Sequence, residues 1–423
     1  MNSMSRENRK RQLRRRVISS DTAYNTASVW ENEEDSEDVV RRAKKKVRRK
    51  HLVVLAAVVV IGLAAFAGVR YYRMNYSYTS FETSWEIPMN EGSLVGYELF
   101  GSNILKYTKD GASYMDNRGR NVWTESYEMK SPIISVNGSF AAIADQQGNS
   151  IYICNEDGKQ GEATTVLPIS KVAVSGTGIV AAVLEDSTSS YITFFKKDGT
   201  SLDITVKTKM AGDGYPLDIS LSQDGTQLMC SYVYLQGGEL KNRVVFYDFS
   251  EIGKNVPNRL VGGFDEPFNG TMVPRVTYLN EPYSCAFTGN GPVFFSSKNL
   301  ASPELIGQAA MEDDNIRSVF FSDNYVGVIV RNSGGEEQER MEIYKADGSH
   351  VLSKEFTYEY MDAEIIGDLI ILHDDHSCRI YNMAGVEKLY AEFDFTISKI
   401  CKGRFPNTLL VTGPQLMREI RMK

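Results

Sequence analysis

The chain has 423 residues, with 47 Lys and Arg against 54 Asp and Glu, five cysteines and four histidines. The cysteines are odd in number, widely spaced and without a CxxC pair, so they read as small buried hydrophobes rather than as a disulfide framework or a zinc site. The net charge of −7 conceals a split: residues 1–51 carry 15 basic and 8 acidic side chains (+7), residues 70–423 carry 32 and 46 (−14). A C-terminal part this acidic is a poor partner for an anionic polymer unless the fold gathers a basic patch.

Residues 1–50 hold little from which to build a core. A basic block (RKRQLRRR), a Ser/Thr/Asn-rich stretch, an acidic block (ENEEDSED) and a second basic block follow one another. Low hydrophobicity with segregated charge predicts disorder, with Val39 to His51 extending the following helix inward. The basic blocks raise the question of nucleic acid. Their place beside an apolar run explains them instead by the positive-inside rule and by anionic headgroups, at roughly 1 kcal/mol per charge, so no nucleic-acid partner is expected. Tyr24 and Trp30 stand among acidic and hydroxyl residues and are the candidates for a short docking motif; two incidental aromatics are the alternative.

The run from Leu52 to Val69 contains no charge. At about 1.5 Å per residue such a run approaches the thickness of a bilayer's hydrocarbon core, which predicts a transmembrane helix over residues 51–73. Eight basic residues between Arg41 and Lys50 outweigh Arg70 and Arg73 on the other flank, placing the N-terminus in the cytoplasm and residues 74–423 outside a plasma membrane. Tyr71, Tyr72, Tyr76 and Tyr78 sit where an aromatic belt would lie, or else pack on the following domain. Ala65-Phe66-Ala67 has the small-x-small form of a signal-peptidase site, but an n-region of fifty residues is too long for a secretory signal. A buried core helix would show a 3.6-residue stripe, and this run is apolar all round.

Beyond residue 78, short runs rich in Val, Ile, Tyr, Phe and Thr alternate with Gly, Asn, Asp and Ser turns, without a convincing amphipathic helix. The runs repeat. SPIISVNGSFAAIADQQGNSIYICNEDGKQGEATTVLP (131–168) reads as four strands separated by turns at Asn137-Gly138, Gln147-Gly148 and Asp157-Gly158. The order recurs from Ile169, Pro216, Asn315 and Met361. Its shared element is an apolar-aromatic strand closed by a glycine turn: YICNEDG, TFFKKDG, EIYKADG and RIYNMAG. A period of 35–48 residues is one four-stranded propeller blade. The expected fold is therefore all-β, a propeller of eight four-stranded blades preceded by one transmembrane helix, with seven blades the alternative if residues 263–310 hold less than a full blade. The last repeat, from Thr396, supplies three strands, and TSFETSWEI (79–87) is expected to provide the fourth, joining the two ends and removing open edges.

This pattern resembles the wide superfamily of WD40-like and quinoprotein-like propellers. The arrangement of basic tail, single span and divergent propeller is similar to membrane-anchored propellers of unknown function from Clostridia-type Gram-positive bacteria. The resemblance covers residues 40–423 and implies a fold and a location but no reaction. The Gly-His and Trp-Asp dipeptides of WD40 repeats are absent, and only Trp85 and Trp123 lie in this domain, which argues against a quinone cofactor.

No GxSxG, HExxH, P-loop or GxGxxG appears, and no cofactor or metal is expected. His373-Asp374-Asp375-His376 could hold a metal but falls at a hairpin, where Asp is an ordinary turn residue. Glu312-Asp313-Asp314-Asn315 and Glu336-Glu337 read as solvated loops. The candidate binding segments are YVYLQGGELKNR (232–243) and GGFDEPFNGTMVPR (262–275), with Tyr232, Tyr234, Phe264, Phe268, Met272 and Arg275 as contact residues; the alternative is that their apolar side chains form a satellite core. Three functions remain: a non-catalytic interaction or scaffold module for a protein or cell-envelope partner, tethered to membrane lipid; an extracellular hydrolase or lyase acting on glycans through carboxylates at the propeller axis; and a sensor that signals through a partner.

Overall fold

The computed structural model describes residues 28–89, 95–210, 212–311, 315–332 and 334–423; at residues 28–40, 42–44, 47 and 50 it describes the backbone alone. The chain forms two units, residues 1–73 and 74–423.

In the first unit one helix, α1, runs Ser28–Asn75. It is longer than the expected span and takes in part of the segment expected to be disordered. In sequence, Glu37 and Asp38 stand four residues before Arg41 and Arg42, the acid-before-base spacing that favours helix. His51–Asn75 is the one stretch among the described residues long and apolar enough to cross a membrane, and its side chains are exposed on every side.

The second unit is a ring of eight four-stranded antiparallel blades. Blade 1 comprises Gly96–Phe100, Asn103–Tyr107, Gly111–Met115 and Asn121–Ser126; blade 2, Pro132–Asn137, Phe140–Asp145, Ser150–Asn155 and Gly158–Thr164. Blade 3 comprises Ile169–Val174, Val180–Glu185, Ser190–Phe195 and Ser201–Thr208; blade 4, Tyr215–Leu221, Gln227–Gln236, Glu239–Asp248 and Leu260–Phe264. Blade 5 is complete, with Arg275–Tyr278, Tyr283–Thr288, Gly291–Ser296 and Glu304–Gln308, so the ring has eight members. Blade 6 comprises Ile316–Phe321, Tyr325–Arg331, Glu339–Lys345 and His350–Phe356; blade 7, Asp362–Ile366, Leu369–His373, Ser377–Asn382 and Glu387–Glu392. Blade 8 takes Lys399–Lys402, Thr408–Thr412 and Leu416–Met422 from the C-terminus, and its outermost strand, Phe81–Pro88, from just after α1.

Small residues let the blades approach one another. Ala141, Ala142, Ala144, Ala181 and Ala182 on second strands are fully buried. Each adjacent pair of blades shares an apolar cluster. Met115 of blade 1 meets Cys401, Leu410 and Met417 of blade 8, which closes the circle; Ile380 of blade 7 meets Leu409 and Ile420 from the other side of blade 8. Each fully buried side chain of this size contributes about 1.5–3 kcal/mol. The repeated glycine turn is present where the spacing places it. Gly199 has φ +83° and Gly348 has φ +81°, and a Cβ at Gly199 would lie 1.9 Å from the Glu162 carbonyl oxygen. The Asp198 carboxylate accepts the Thr200 amide at 2.9 Å, and Asp347 accepts that of Ser349 at 3.0 Å. A register shift in the ladder beside each turn marks the bulge.

Alternating strand direction sorts the turns onto two faces. Turns joining first to second and third to fourth strands share one face, and the chain joins the propeller there, at Phe81. We term this the near face. Turns joining second to third strands, and the connections between blades, share the far face.

Candidate interaction face and axial channel

The 232–243 segment is not a loop. It is the outer half of a hairpin whose two strands, Gln227–Gln236 and Glu239–Asp248, run ten residues each. Gly237 and Gly238, at φ +64° and +88°, turn the chain with the twist that long hairpins favour. Because the hairpin lies between blades, both of its faces are covered near the base. Tyr232 is therefore buried, its hydroxyl 3.2 Å from that of Tyr247 and its pKa held well above the usual phenol range by desolvation. Tyr234 is buried as well. Its hydroxyl donates to the Asp265 carboxylate at 3.1 Å, its ring lies 3.9 Å beneath the Arg243 guanidinium, and Arg243 pairs with the same carboxylate at 3.1 Å.

Asp265 belongs to the other candidate segment, so the fold brings the two together on the far face. Asn242 also accepts the Val273 amide, at 3.4 Å. Phe268 is only 1% exposed and packs with Phe246 and Phe295, while half-buried Phe264 lies 4.9 Å from the Phe295 ring. Tyr232, Tyr234 and Phe268 are thus core residues rather than contact residues, since an aromatic at a blade junction gains more by filling it than by facing water. Met272 is 57% exposed and remains available. Arg275 is exposed at the start of blade 5's innermost strand, 4.8 Å over the Phe321 ring of blade 6, and lines the axis. Tyr24 lies outside the described residues, and Trp30 lies on the α1 backbone.

Besides Met272, the face exposes apolar residues that were not among the named contact residues, two of them inside the 232–243 segment. Leu235 and Leu240 face each other across the hairpin tip at 52% and 65% exposure. Val166 and Met210, on the connections leaving blades 2 and 3, are exposed too. With Met272 they form an arc over blades 2 to 5. The available signal was a Leu on either side of Gly-Gly, a pair that only strand pairing sets side by side.

The innermost strands enclose an axial cavity of about 1010 Å³, lined among others by Glu98, Lys171, Asp218, Arg275, Ile365 and Gly367. Several strand-to-strand contacts here cross between blades. The Ser135 hydroxyl accepts the Val174 amide at 3.1 Å, Ser220 accepts Tyr278 at 2.9 Å, and the Asp218 carboxylate accepts Val276 at 2.9 Å. Burial pushes the Asp218 carboxyl up, against this bond and the charges of Lys171 and Arg275. Lys399 of blade 8 pairs with Glu364 of blade 7 and lies 3.3 Å from Glu98 of blade 1. Burial pushes Glu364 up to about 7, with Lys399 pulling the other way. Burial alone would lower Lys399, but the two carboxylates raise it. The sequence trace of this cluster is charged residues placed in three otherwise apolar strands, GYELF, DAEII and KICK.

The five cysteines are buried and unpaired, and burial pushes the thiols of Cys154, Cys378 and Cys401 up to about 12. Asp374 makes the blade 7 hairpin turn, accepting the amides of His376 and Ser377 at 2.7 and 2.6 Å, while His373 is buried. Among the described residues no group of three or more His, Cys, Asp or Glu is placed to hold a metal; Glu312, Asp313 and Asp314 lie outside them. Tyr78 packs against blades 7 and 8, whereas Tyr71 and Tyr72 are exposed.

Residues 74–422 match the model of a family of unknown function, DUF5711. The chain belongs to that family. Among curated proteins none matches. The propeller is similar to BamB from Moraxella catarrhalis (12% identity, TM-score 0.50, covering 81% of this chain and 100% of that one). It is also similar to Sqt1 from Chaetomium thermophilum (10% identity, TM-score 0.54, 81% and 100% covered). A second Sqt1 structure, bound to the N-terminus of the ribosomal protein L10, aligns over 82% of this chain and 100% of that one (10% identity, TM-score 0.52). At these identities the likeness is one of fold.

Proposed function

We propose that this member of the family is a membrane-anchored interaction module whose propeller stands outside the plasma membrane and binds a protein or cell-envelope partner through its far face. The observation that carries the reading is the arc of Val166, Met210, Leu235, Leu240 and Met272, displayed by a hairpin whose base is clamped by Tyr234, Arg243 and Asp265. Exposed apolar side chains on rigid elements suit a partner that covers them. That Sqt1 binds a protein segment on the same fold supports the class of function. The apolar, fully exposed stretch of α1 and the basic residues before it support the anchor and its orientation. Tethering confines the propeller to two dimensions and raises its effective concentration for envelope partners.

The test is cross-linking in intact cells, comparing the native chain with Leu235→Asp/Leu240→Asp. A defined partner recovered with the native chain and lost with the variant, at unchanged expression and melting, is the expected result; equal recovery with both removes the far face from the reading. The glycan-enzyme reading keeps one observation in its favour, the two carboxylates that share Lys399, partly exposed Glu98 at the cavity lining and largely buried Glu364 beside it, the latter with a pKa raised to about 7. Both are held by Lys399, which suits a clasp between blades better than proton transfer. Release of reducing ends from a cell-wall fraction, abolished by Glu364→Gln, would reverse that judgement.

A further inference from the structure

We propose that the near face of the propeller lies against a lipid surface, with Phe405 and Arg404 entering the headgroup layer. This rests on reading α1 as a membrane span. Three observations within the propeller unit lead to it.

First, the chain that joins the propeller is pinned down over nearly its whole length. The Met74 carbonyl accepts from the Asn382 side-chain amide at 2.6 Å, the Tyr76 carbonyl accepts from the Lys388 ammonium, and the Ser77 hydroxyl donates to the Glu387 carbonyl at 2.6 Å. The Tyr78 amide donates to the Lys388 carbonyl at 2.8 Å, and the amides of Thr79 and Ser80 reach the Lys423 carbonyl at 3.0 and 3.2 Å. No slack linker separates the apolar stretch ending at Asn75 from the outermost strand beginning at Phe81. Six residues of extended chain reach about 20 Å at most, which bounds the distance from Asn75 to Phe81.

Second, the neighbouring turn presents the right side chains. Gly403–Asn407 joins the first two strands of blade 8 on the near face, and Asn407 ties it to the same edge, its carbonyl accepting the Met422 amide at 2.9 Å. Phe405 at its tip is 49% exposed. The Thr408 hydroxyl holds the turn, accepting the Phe405 amide and reaching its carbonyl, both at 3.0 Å. An exposed aromatic on a stiff turn gains by entering a headgroup layer and loses little conformational freedom in doing so.

Third, the charge is complementary. Arg404 is exposed, its guanidinium 5.6 Å from the Phe405 ring, and among the described residues it makes no ion pair. Lys402 and Lys423 lie on the same edge, paired with Asp368 and Glu82. Those two lysines are neutralised by their partners, so Arg404 is the cation this edge offers to an anionic headgroup, at about 1 kcal/mol. The consequence for the far face is that its apolar arc points away from the lipid, toward an envelope partner.

The experiment places one label at a time on the full chain in nanodiscs of phosphatidylcholine and phosphatidylglycerol at 3:1, using Pro406→Cys on the near face, Leu240→Cys on the far face and Leu63→Cys in α1. All native cysteines are buried, so an introduced thiol takes the label. Headgroup spin-labelled lipid is expected to quench the label at 406 several-fold more than that at 240, and acyl-chain spin-labelled lipid to quench the label at 63. Arg404→Glu/Phe405→Ala should at least halve quenching at 406. Quenching at 63 with none at 406, or more at 240 than at 406, overturns the docking of this face and leaves the span intact. No quenching at 63 overturns the span, and the proposal with it.

Discussion

Blade 2 and blade 8 have the same four strands and different problems. Blade 2 is one continuous run, with each strand hydrogen-bonded to the next in sequence. Its second strand, Phe140–Asp145, is half alanine and almost wholly buried, and among the described residues the blade's ion pair is Lys159 with Glu162 at its exposed edge. Blade 8 must be assembled from both ends of the domain, with Phe81–Pro88 laid antiparallel on Leu416–Met422. It is also where charges gather. Arg418 bonds Glu86 at 2.9 Å and Asp394 at 2.7 Å, Lys423 pairs with Glu82, and Lys399 joins Glu98 to Glu364. Local strands find their register through short turns. Strands far apart in sequence have no turn to set it, and complementary charges at fixed positions penalise a slipped ladder. A ring closed this way also leaves no free edge at its seam.

The largest effect should come from removing the seam. Deleting residues 416–423 takes away a third strand and the ladder that holds the fourth, and cooperative unfolding by near-UV circular dichroism is expected to vanish. A retained sharp transition would mean that seven blades close without the eighth. Next, Lys399→Ala leaves the largely buried Glu364 carboxylate and the partly exposed Glu98 without their shared cation and should cost about 1.5–3 kcal/mol in urea unfolding. Combining it with Glu364→Leu should recover most of that loss; no recovery would show that Lys399 acts by packing alone. Ala142→Leu in blade 2 overfills the junction with blade 3, where Ala142 is fully buried, and should cost about 1–3 kcal/mol. That loss arises from volume and should not depend on pH.

The smallest expected effect is a slope. Folding raises Glu364 from 4.5 to about 7, chiefly by burial. Between those values the folded chain keeps a proton that the unfolded chain has released. The contribution is therefore present below pH 4.5 and is lost as pH rises toward 7. Glu364→Gln should flatten the fall in urea midpoint between pH 5 and pH 7.5 relative to the native chain. An unchanged slope would show that Lys399 keeps the carboxyl ionised throughout.

Much of the fold was legible in the chain because a blade is a local object. The turns at Asn137-Gly138 and Asp157-Gly158, the strand FAAIAD and the recurring aromatic strand all lie within forty residues of one another, and turn chemistry with two-residue alternation suffices to read them. Even the closing strand could be anticipated, since the last repeat was one strand short and the chain offered one at residues 79–87. The candidate site was less legible. Tyr232 and Phe268 look like contact residues in a Gly-rich segment, and they become core only when blades 3 and 5 close over them.

By itself, the sequence determined the blade repeat, the apolar stretch ahead of it, the charge split around that stretch and the burial of the cysteines, because each depends on neighbours along the chain. Only the tertiary structure decided that Glu98, Glu364 and Lys399 meet across the innermost strands of blades 1, 7 and 8, that Leu235, Leu240 and Met272 share one face, and that Phe405 sits on the other, where the chain joins the ring. These are relations between blades or between residues on opposite sides of a strand pair. They follow from closing the ring and from strand direction, neither of which local composition encodes.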